Sequence, residues 1–243
     1  MFDFFNGLWE NFYKCFIEYD IWKMYLQGLR NTVIIAVGAC LLGLLIGIIV
    51  TCIRVAPKSN PVMKFLDAIA RLYVTVIRGT PVVLQLFICY FVLLTSIRNT
   101  NFLGIKDTAG ILVAIVTFGI NSGAYVSEII RAGILSIDKG QTEAGRSLGL
   151  SSSQTMISIV IPQAVKNIFP ALCNEFIVLI KETAIVGYVG LVDIQKAGDF
   201  IKSATFEAFM PLLATAVIYF VLIKILTLAM ARVEAALRKS EIR

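Results

Sequence analysis

Asn31 to Ile53 reads NTVIIAVGACLLGLLIGIIVTCI, 23 residues without a charge, closed on either side by Arg30 and Arg54. A bilayer's hydrocarbon core takes about 20 mostly apolar residues per helix. The run therefore predicts a transmembrane helix, and the rest of the chain repeats the pattern. Gly79 to Ile97 gives 19 uncharged residues between Arg78 and Arg98. Thr108 to Ser127 gives 20 between Asp107 and Glu128. A fourth span is expected from about Ile168 to Val189, interrupted by Glu175, Lys181 and Glu182. A fifth is expected from Ala208 to Ala231, broken only by Lys224, which lies late enough to snorkel to an interface. Burying such helices in a soluble core fails on size, because 243 residues lack the polar surface to surround five of them. The expected fold is an all-α membrane protein of about five transmembrane helices.

Composition agrees. The chain is 58% apolar and 16% charged, with mean hydropathy +0.84, where soluble domains are about half apolar and a quarter charged. Disorder is excluded by the same numbers. There is no histidine, which removes a histidine-based triad and most zinc or haem sites; no metal is expected. The five cysteines (15, 40, 52, 89 and 173) show no CxxC spacing and sit mostly in apolar runs, so they read as small core residues.

The net charge of +6 is sorted by loop. Segment 54–78 carries five Lys/Arg, loop 128–166 four, and the tail after the fifth span four; the N-terminal arm carries three, and loops 98–107 and 190–207 two each. Thirteen against seven predicts that the first set and the C-terminus are cytoplasmic and the N-terminus outside. Three regions follow: an arm, 1–30; a transmembrane domain, 31–231; and a cytoplasmic tail, 232–243. The arm lacks a signal peptide's basic start, apolar run and cleavage site. It holds ten of the 26 aromatics, with Phe5, Trp9, Phe12, Phe16 and Tyr19 near one helical face. It is read as an amphipathic helix in the outer headgroup region, or else a partly disordered arm.

Gly43-x-x-x-Gly47 and Gly119-x-x-x-Gly123 read as sites of close helix packing, not as evidence of a dimer seam. Loop 128–166 is long and not of low complexity. Short helices are expected at 128–137 and 141–148, with Gly149 as the stop, then another from Ser151–Ser153 ending before Pro162. Gly140 to Ser147 falls one residue short of a phosphate-binding P-loop, but no buried strand precedes it and Arg146 stands where Lys is required. Ser136-x-x-Lys139 has no partner motifs. The chain is therefore not read as an ATPase or any other enzyme.

Glu143-Ala144-Gly145, three residues, Gly149, nine residues, then Ile159-Val160-Ile161-Pro162 closely resembles the EAA loop of bacterial binding-protein-dependent ABC importer permeases. That pattern is E-A-A, three residues, G, nine residues, I, one residue, L-P. Gly145 replaces the second Ala and Ile161 the Leu, with spacing intact. The resemblance implies a cytoplasmic coupling helix seated in a groove of a separate ATPase subunit, with Glu143, Ala144, Gly145, Arg146, Gly149, Leu150, Ile159 and Pro162 as the coupling residues. Small residues suit close seating, Glu143 offers a charged anchor, and Gly149 turns the chain out of the helix.

Two further segments are similar to polar amino-acid permeases of the histidine/glutamine/arginine type. One is Arg78-Gly79-Thr80-Pro81 with Gln85-Leu86-Phe87; the other is Lys181-Glu182-Thr183-Ala184 followed by Ile185-Val186-Gly187, with Ala184 where the family has Ser. The resemblance implies two permease chains, identical or paralogous, two cytoplasmic ABC ATPases that use ATP and magnesium, and an external amino-acid-binding protein. It implies a bacterial plasma-membrane location and no cofactor in this chain. An importer for another small solute and a self-sufficient small transporter or channel are the alternative readings; no convincing internal repeat supports the latter.

The intramembrane charges point the same way. A charge at mid-bilayer costs about 2.5–3.5 kcal/mol, and one Leu or Ile returns only about 0.3–0.6. Lys181 and Glu182 must therefore face protein or water, about 100° apart on the helix. A cavity of Arg78, Gly79, Thr80, Pro81, Gln85, Lys181, Glu182 and Thr183 would suit the ammonium and carboxylate of an amino acid. The competing roles are a packing salt bridge for Lys181 and Glu182, and a membrane anchor for Arg78.

Overall fold

A computed structural model describes residues 2–18, 20, 22–98 and 108–239, with backbone alone for 2–6, 8, 97–98 and 237–239. Every regular element among them is helical. Tyr19, loop 99–107 and the Phe5 side chain, all used in the sequence reading, lie outside the described residues.

The first apolar run becomes α2, Trp22–Val55, which starts nine residues before the expected span. Before it, α1, Phe2–Phe16, stacks Trp9, Phe12 and Phe16 along one face and reaches Tyr25. Thr108–Ser127 becomes α6, Thr108–Leu135, which takes the first eight residues of the expected loop 128–166. The two GxxxG motifs face each other across α2 and α6. A Cβ on Gly43 would come within 2.9 Å of Ser122, and one on Gly123 within 2.7 Å of Ile46. The motifs thus join two helices of one chain, as the packing reading requires.

The second run is not a straight span. Helix α3, Pro61–Arg78, fills most of the segment read as a loop. A corner at Gly79–Pro81 leads into α4, Val82–Ile88, a π turn, Cys89–Leu93, and α5, Thr95–Arg98. The two arms, Pro61–Arg78 and Val82–Leu93, meet at 106° and together have the length and apolar composition of one bent span. Pro81 supplies the corner: it lacks an N–H, and it disfavours helical backbone at Thr80. The α3 charges hid this arm from the sequence reading. Asp67 pairs with Lys58 at 3.0 Å and Arg71 at 2.9 Å, while Val62, Phe65, Ile69, Leu72 and Val76 form an exposed apolar face. Lys64, Arg71 and Arg78, counted with a loop in the sequence reading, thus lie on a helix.

After α6 come α7, Lys139–Ser147, and α8, Ser152–Thr155. The helix expected to end before Pro162 instead continues through a π turn, Met156–Val160, into α9, Ile161–Glu182. A proline ring clashes with the carbonyl four residues earlier, and widening the preceding turn relieves that contact. A 3-10 stretch, Thr183–Val189, ends α9 at Gly190, φ +84°. Then α10, Ile194–Thr205, packs an amphipathic face against α2 and α11, Phe209–Lys239. Among the described residues four helices are long and apolar enough to cross a membrane, five when the bent pair is counted as one span.

The core lies in three patches. In the middle, Ile35 and Ala39 of α2 meet Leu86, Phe118 and Leu179. At the α10 end, Cys15, Tyr25, Ile194 and Ile201 pack together, and the Tyr25 hydroxyl donates to the Pro211 carbonyl at 2.7 Å. Between α2, α3 and α6, Val50, Ala70, Val74 and Ala124 form the third.

Candidate functional site

Two groups of residues stand apart from ordinary packing. The first is α7 and its seat. Asp138 caps the helix by accepting from the Gly140 N–H at 2.7 Å. Gly145 is the inward residue: a Cβ there would lie 2.8 Å from Thr155 Cγ2 and 2.9 Å from Ile159 Cδ1. Its smallness therefore serves seating against this chain's own α8–α9 segment. Glu143, Ala144 and Arg146 face outward, and Leu148 is 82% exposed. Gly149 holds φ +85°, where a glycine carries no Cβ penalty. The Arg146 guanidinium donates to the Leu150 carbonyl at 2.7 Å and fixes that turn. Ser151 and Gln154 form a reciprocal capping box that starts α8. Gln163 of α9 donates to Gln141 of α7 at 3.2 Å, and Pro162 lies exposed in the first turn of α9.

The second group lies beside the middle of α6. The Tyr73 hydroxyl, near the end of α3, donates to the Ile120 carbonyl at 2.5 Å. This ties the end of α3 to the middle of α6, beside the exposed corner. The Arg78 guanidinium lies 5.1 Å from the Tyr125 ring. The Gln85 amide donates to the Thr80 hydroxyl at 2.8 Å and to the Ile77 carbonyl at 2.8 Å. Its oxygen accepts from Asn121 of α6 at 2.9 Å. The next residue, Ser122, donates to the Glu175 carboxylate of α9 at 2.8 Å. Gly79 and Pro81 shape the corner that brings Thr80 and Gln85 here. Two residues after Lys181, Thr183 is buried, with its hydroxyl given to the Ile180 carbonyl at 2.7 Å. Lys181 is exposed and Glu182 half-buried, and among the described residues neither forms an ion pair. The proposed packing salt bridge is thus missing from the described residues.

Toward the end of α2, Arg54 pairs with Glu128 of α6, which also takes Arg131 at 2.8 Å. Among the described residues no cluster of three potential metal ligands exists.

This arrangement matches known proteins. Residues 43–239 match the family described as the binding-protein-dependent transport system inner membrane component. The chain belongs to this family. It is a multi-pass inner-membrane component of such a transport system, which sets aside the self-sufficient channel reading. Among relatives of this permease, the arginine transport system permease protein ArtQ of Bacillus subtilis is 40% identical over 221 residues, 89% of this chain and 93% of that one. The putative glutamine transport system permease protein GlnP of Rickettsia bellii is 38% identical over 201 residues, 83% and 87%. The crystal structure of an amino acid ABC transporter with histidines superposes with a TM-score of 0.77 at 36% identity, covering 88% of this chain and 94% of that one. The MetNI methionine ABC transporter shares the fold, with a TM-score of 0.73 at 18% identity, covering 91% and 99%.

Sequence reasoning missed Asn121, Ser122, Asp138 and Leu148 of this permease. An asparagine and a serine at the centre of a charge-free span were the available signal, because intramembrane polar groups face protein or a cavity. Leu148 carried none, since a lone leucine before a glycine reads as helix packing.

Proposed function

We propose that this chain is the permease of an ATP-driven importer for polar amino acids, with its substrate path at the Arg78–Gln85–Asn121–Glu175 level. The observation that carries the reading is that α9 bears both candidate groups. The α8 and π-turn segment that runs into it seats α7 through Thr155 and Ile159, its first turn adds Gln163, and its middle presents Glu175 to Ser122. A push on α7 therefore reaches the intramembrane polar groups through one continuous helical rod.

An amino acid carries an ammonium and a carboxylate. Glu175 and Glu182 suit the first, and Arg78 and Lys181 the second, each in a water-poor setting where charge pairing is strong. The names of the relatives, arginine and glutamine permeases, support that substrate class. Two permease chains, two cytoplasmic ATPases that use ATP and magnesium, and an external binding protein complete the machine. The outer face of α7, with Glu143, Ala144, Arg146 and Leu148, meets the ATPase. The end bearing α7 and the C-terminus is cytoplasmic, and the α10 end is external. The permease alternates between two states that ATP binding and substrate delivery bias differently. It carries no cofactor and makes or breaks no covalent bond.

The test is reconstitution of permease, ATPase and binding protein in proteoliposomes, with ATP hydrolysis and uptake measured across a panel of amino acids. Stimulation by one polar amino acid bound to its binding protein is expected. Uphill uptake by the permease alone would defeat the proposal.

A further inference from the structure

Helix α3 stops on carbonyls that a continuing helix would satisfy, and Pro81 removes one donor outright. In a regular helix the N–H of residue 81 donates to the carbonyl of residue 77, and proline has no N–H. Side chains make up the shortfall. The Val76 carbonyl accepts from the Thr80 hydroxyl at 2.9 Å, and the Ile77 carbonyl accepts from the Gln85 amide at 2.8 Å. Gln85 thus stands in for the donor that Pro81 lacks, at a level halfway along α6, where Asn121 meets it.

The rest of that amide is also engaged. Its nitrogen donates to the Thr80 hydroxyl at 2.8 Å, and its oxygen accepts from Asn121 at 2.9 Å. A backbone carbonyl only accepts, so the Gln85 nitrogen faces Ile77 and its oxygen faces Asn121. Buried Leu86 and buried Asn121 hold the group from both sides. Gln85 and the Thr80 hydroxyl are therefore occupied within this chain. Arg78 is the opposite case. It is exposed, with its guanidinium beside the Tyr125 ring. Among the described residues it forms no ion pair, which leaves its N–H fork for a carboxylate.

The Ile77 carbonyl and the Arg78 N–H belong to one rigid peptide plane, so holding that carbonyl fixes where the Arg78 side chain begins. We propose that Gln85 is a positioning residue: it pins the Ile77–Arg78 peptide so that the guanidinium meets the carboxylate of the transported amino acid, and it does not itself touch that substrate. The assignment rests on the reading of Arg78 as a carboxylate-binding group. Without the amide, the Ile77 carbonyl falls to the next donor, the Thr80 hydroxyl 3.5 Å away, and the peptide turns with it. Pro81 and Gln85 act as a pair, one breaking the helix and the other closing the gap.

The test uses the complete complex of permease, ATPase and binding protein in proteoliposomes. Initial uptake of each of the common radiolabelled L-amino acids is measured as the loaded binding protein is varied. Gln85→Met keeps the length of the side chain and donates nothing. It is expected to lower the maximal rate about tenfold, the scale of a lost hydrogen bond to a charged group, with the half-saturating concentration of binding protein unchanged. Gln85→Glu keeps the shape, and as a carboxylate cannot donate; it serves should Gln85→Met fail to assemble. The deciding measurement is a double-mutant cycle. In an Arg78→Ala background, Gln85→Met is expected to change the rate by less than about twofold, because the group it positions is gone. Where Arg78→Ala leaves no measurable uptake, Arg78→Lys replaces it, since a flexible ammonium stem depends less on aim, and the Gln85→Met effect is expected to shrink there. An equal loss in both backgrounds would overturn the proposal, as would native uptake by Gln85→Met or a shift in half-saturation alone. A native complex that takes up none of the amino acids would defeat the importer reading itself, which is a separate failure.

Discussion

Gly145 lies against Thr155 so closely that a single added carbon would stand 2.8 Å from the threonine methyl. This position of the coupling signature therefore packs inward, against this chain's own α8–α9 segment. Gly145→Leu should lift α7 off its seat, at the roughly 1–3 kcal/mol typical of overpacking. Hydrogen exchange would show Lys139–Ser147 deprotected while the spanning helices stay protected.

Leu148 has the opposite character, 82% exposed with its body projecting from the end of α7. Leu148→Ala should leave the permease intact and weaken capture of the ATPase about tenfold or more, since three lost carbons each contribute about 0.8 kcal/mol when buried. Titration of ATPase onto immobilised permease reads this directly. Glu143→Ala should act in the same assay with a salt dependence that Leu148→Ala lacks.

Glu175→Gln retains an oxygen for the Ser122 hydroxyl, which donates at 2.8 Å in the native chain, so assembly should survive. The lost charge should lower uptake by about ten- to a hundredfold, the range of a hydrogen bond to a charged group, ~1.5–3 kcal/mol. Proteoliposome uptake measures it, and basal ATP hydrolysis is expected to be unchanged. Asn121→Leu removes the donor to Gln85 and should disturb the Gly79–Pro81 corner, seen as altered crosslinking between α4 and α6.

Gly47 tests the α2–α6 seam, because a Cβ there collides with Val126. Gly47→Leu should cost about 1–3 kcal/mol and appear as loss of folded permease after mild heating in detergent. Gly7, with nothing near it, should tolerate the same change.

Asp193 is fully buried at the start of α10, accepting from the Gln195 and Lys196 N–H groups and from the Tyr219 hydroxyl. Burial pushes its carboxyl above the ordinary aspartate range. The folded state therefore binds the proton more tightly than the unfolded chain. This contribution to stability is fully present below the unfolded value, about 3.9, and is lost as pH rises through the raised one. Asp193→Asn keeps a good helix cap and should flatten the pH dependence of α10 exchange protection across that window.

The long helices were readable because lipid as solvent demands uninterrupted apolar runs, and α2, α6 and α11 supply them. Helix α3 was hidden because its charges count against insertion in isolation, and the Lys58–Asp67–Arg71 pairing that offsets part of that cost is not visible in sequence. Helix α10 was hidden for another reason: twelve residues with one buried stripe resemble a loop until α2 and α11 cover it. Of the intramembrane polar group, Arg78, Thr80 and Gln85 came from a family resemblance, whereas Glu175 showed as a charge in an apolar run. Their common meeting place depends on a 106° corner that no local pattern measures. Gly145 stood out in sequence by its smallness, but smallness does not tell which side is crowded; in the structure that side is Thr155 and Ile159.

The π turn at Met156–Val160 acts as a phase adjuster. A regular helix advances about 100° per residue, so deleting one residue there would turn everything beyond it by that angle. The handle would still grip its motor, yet Glu175 would swing off Ser122 and face another quadrant of the bundle. Torque would arrive, but the gate would be out of time with it.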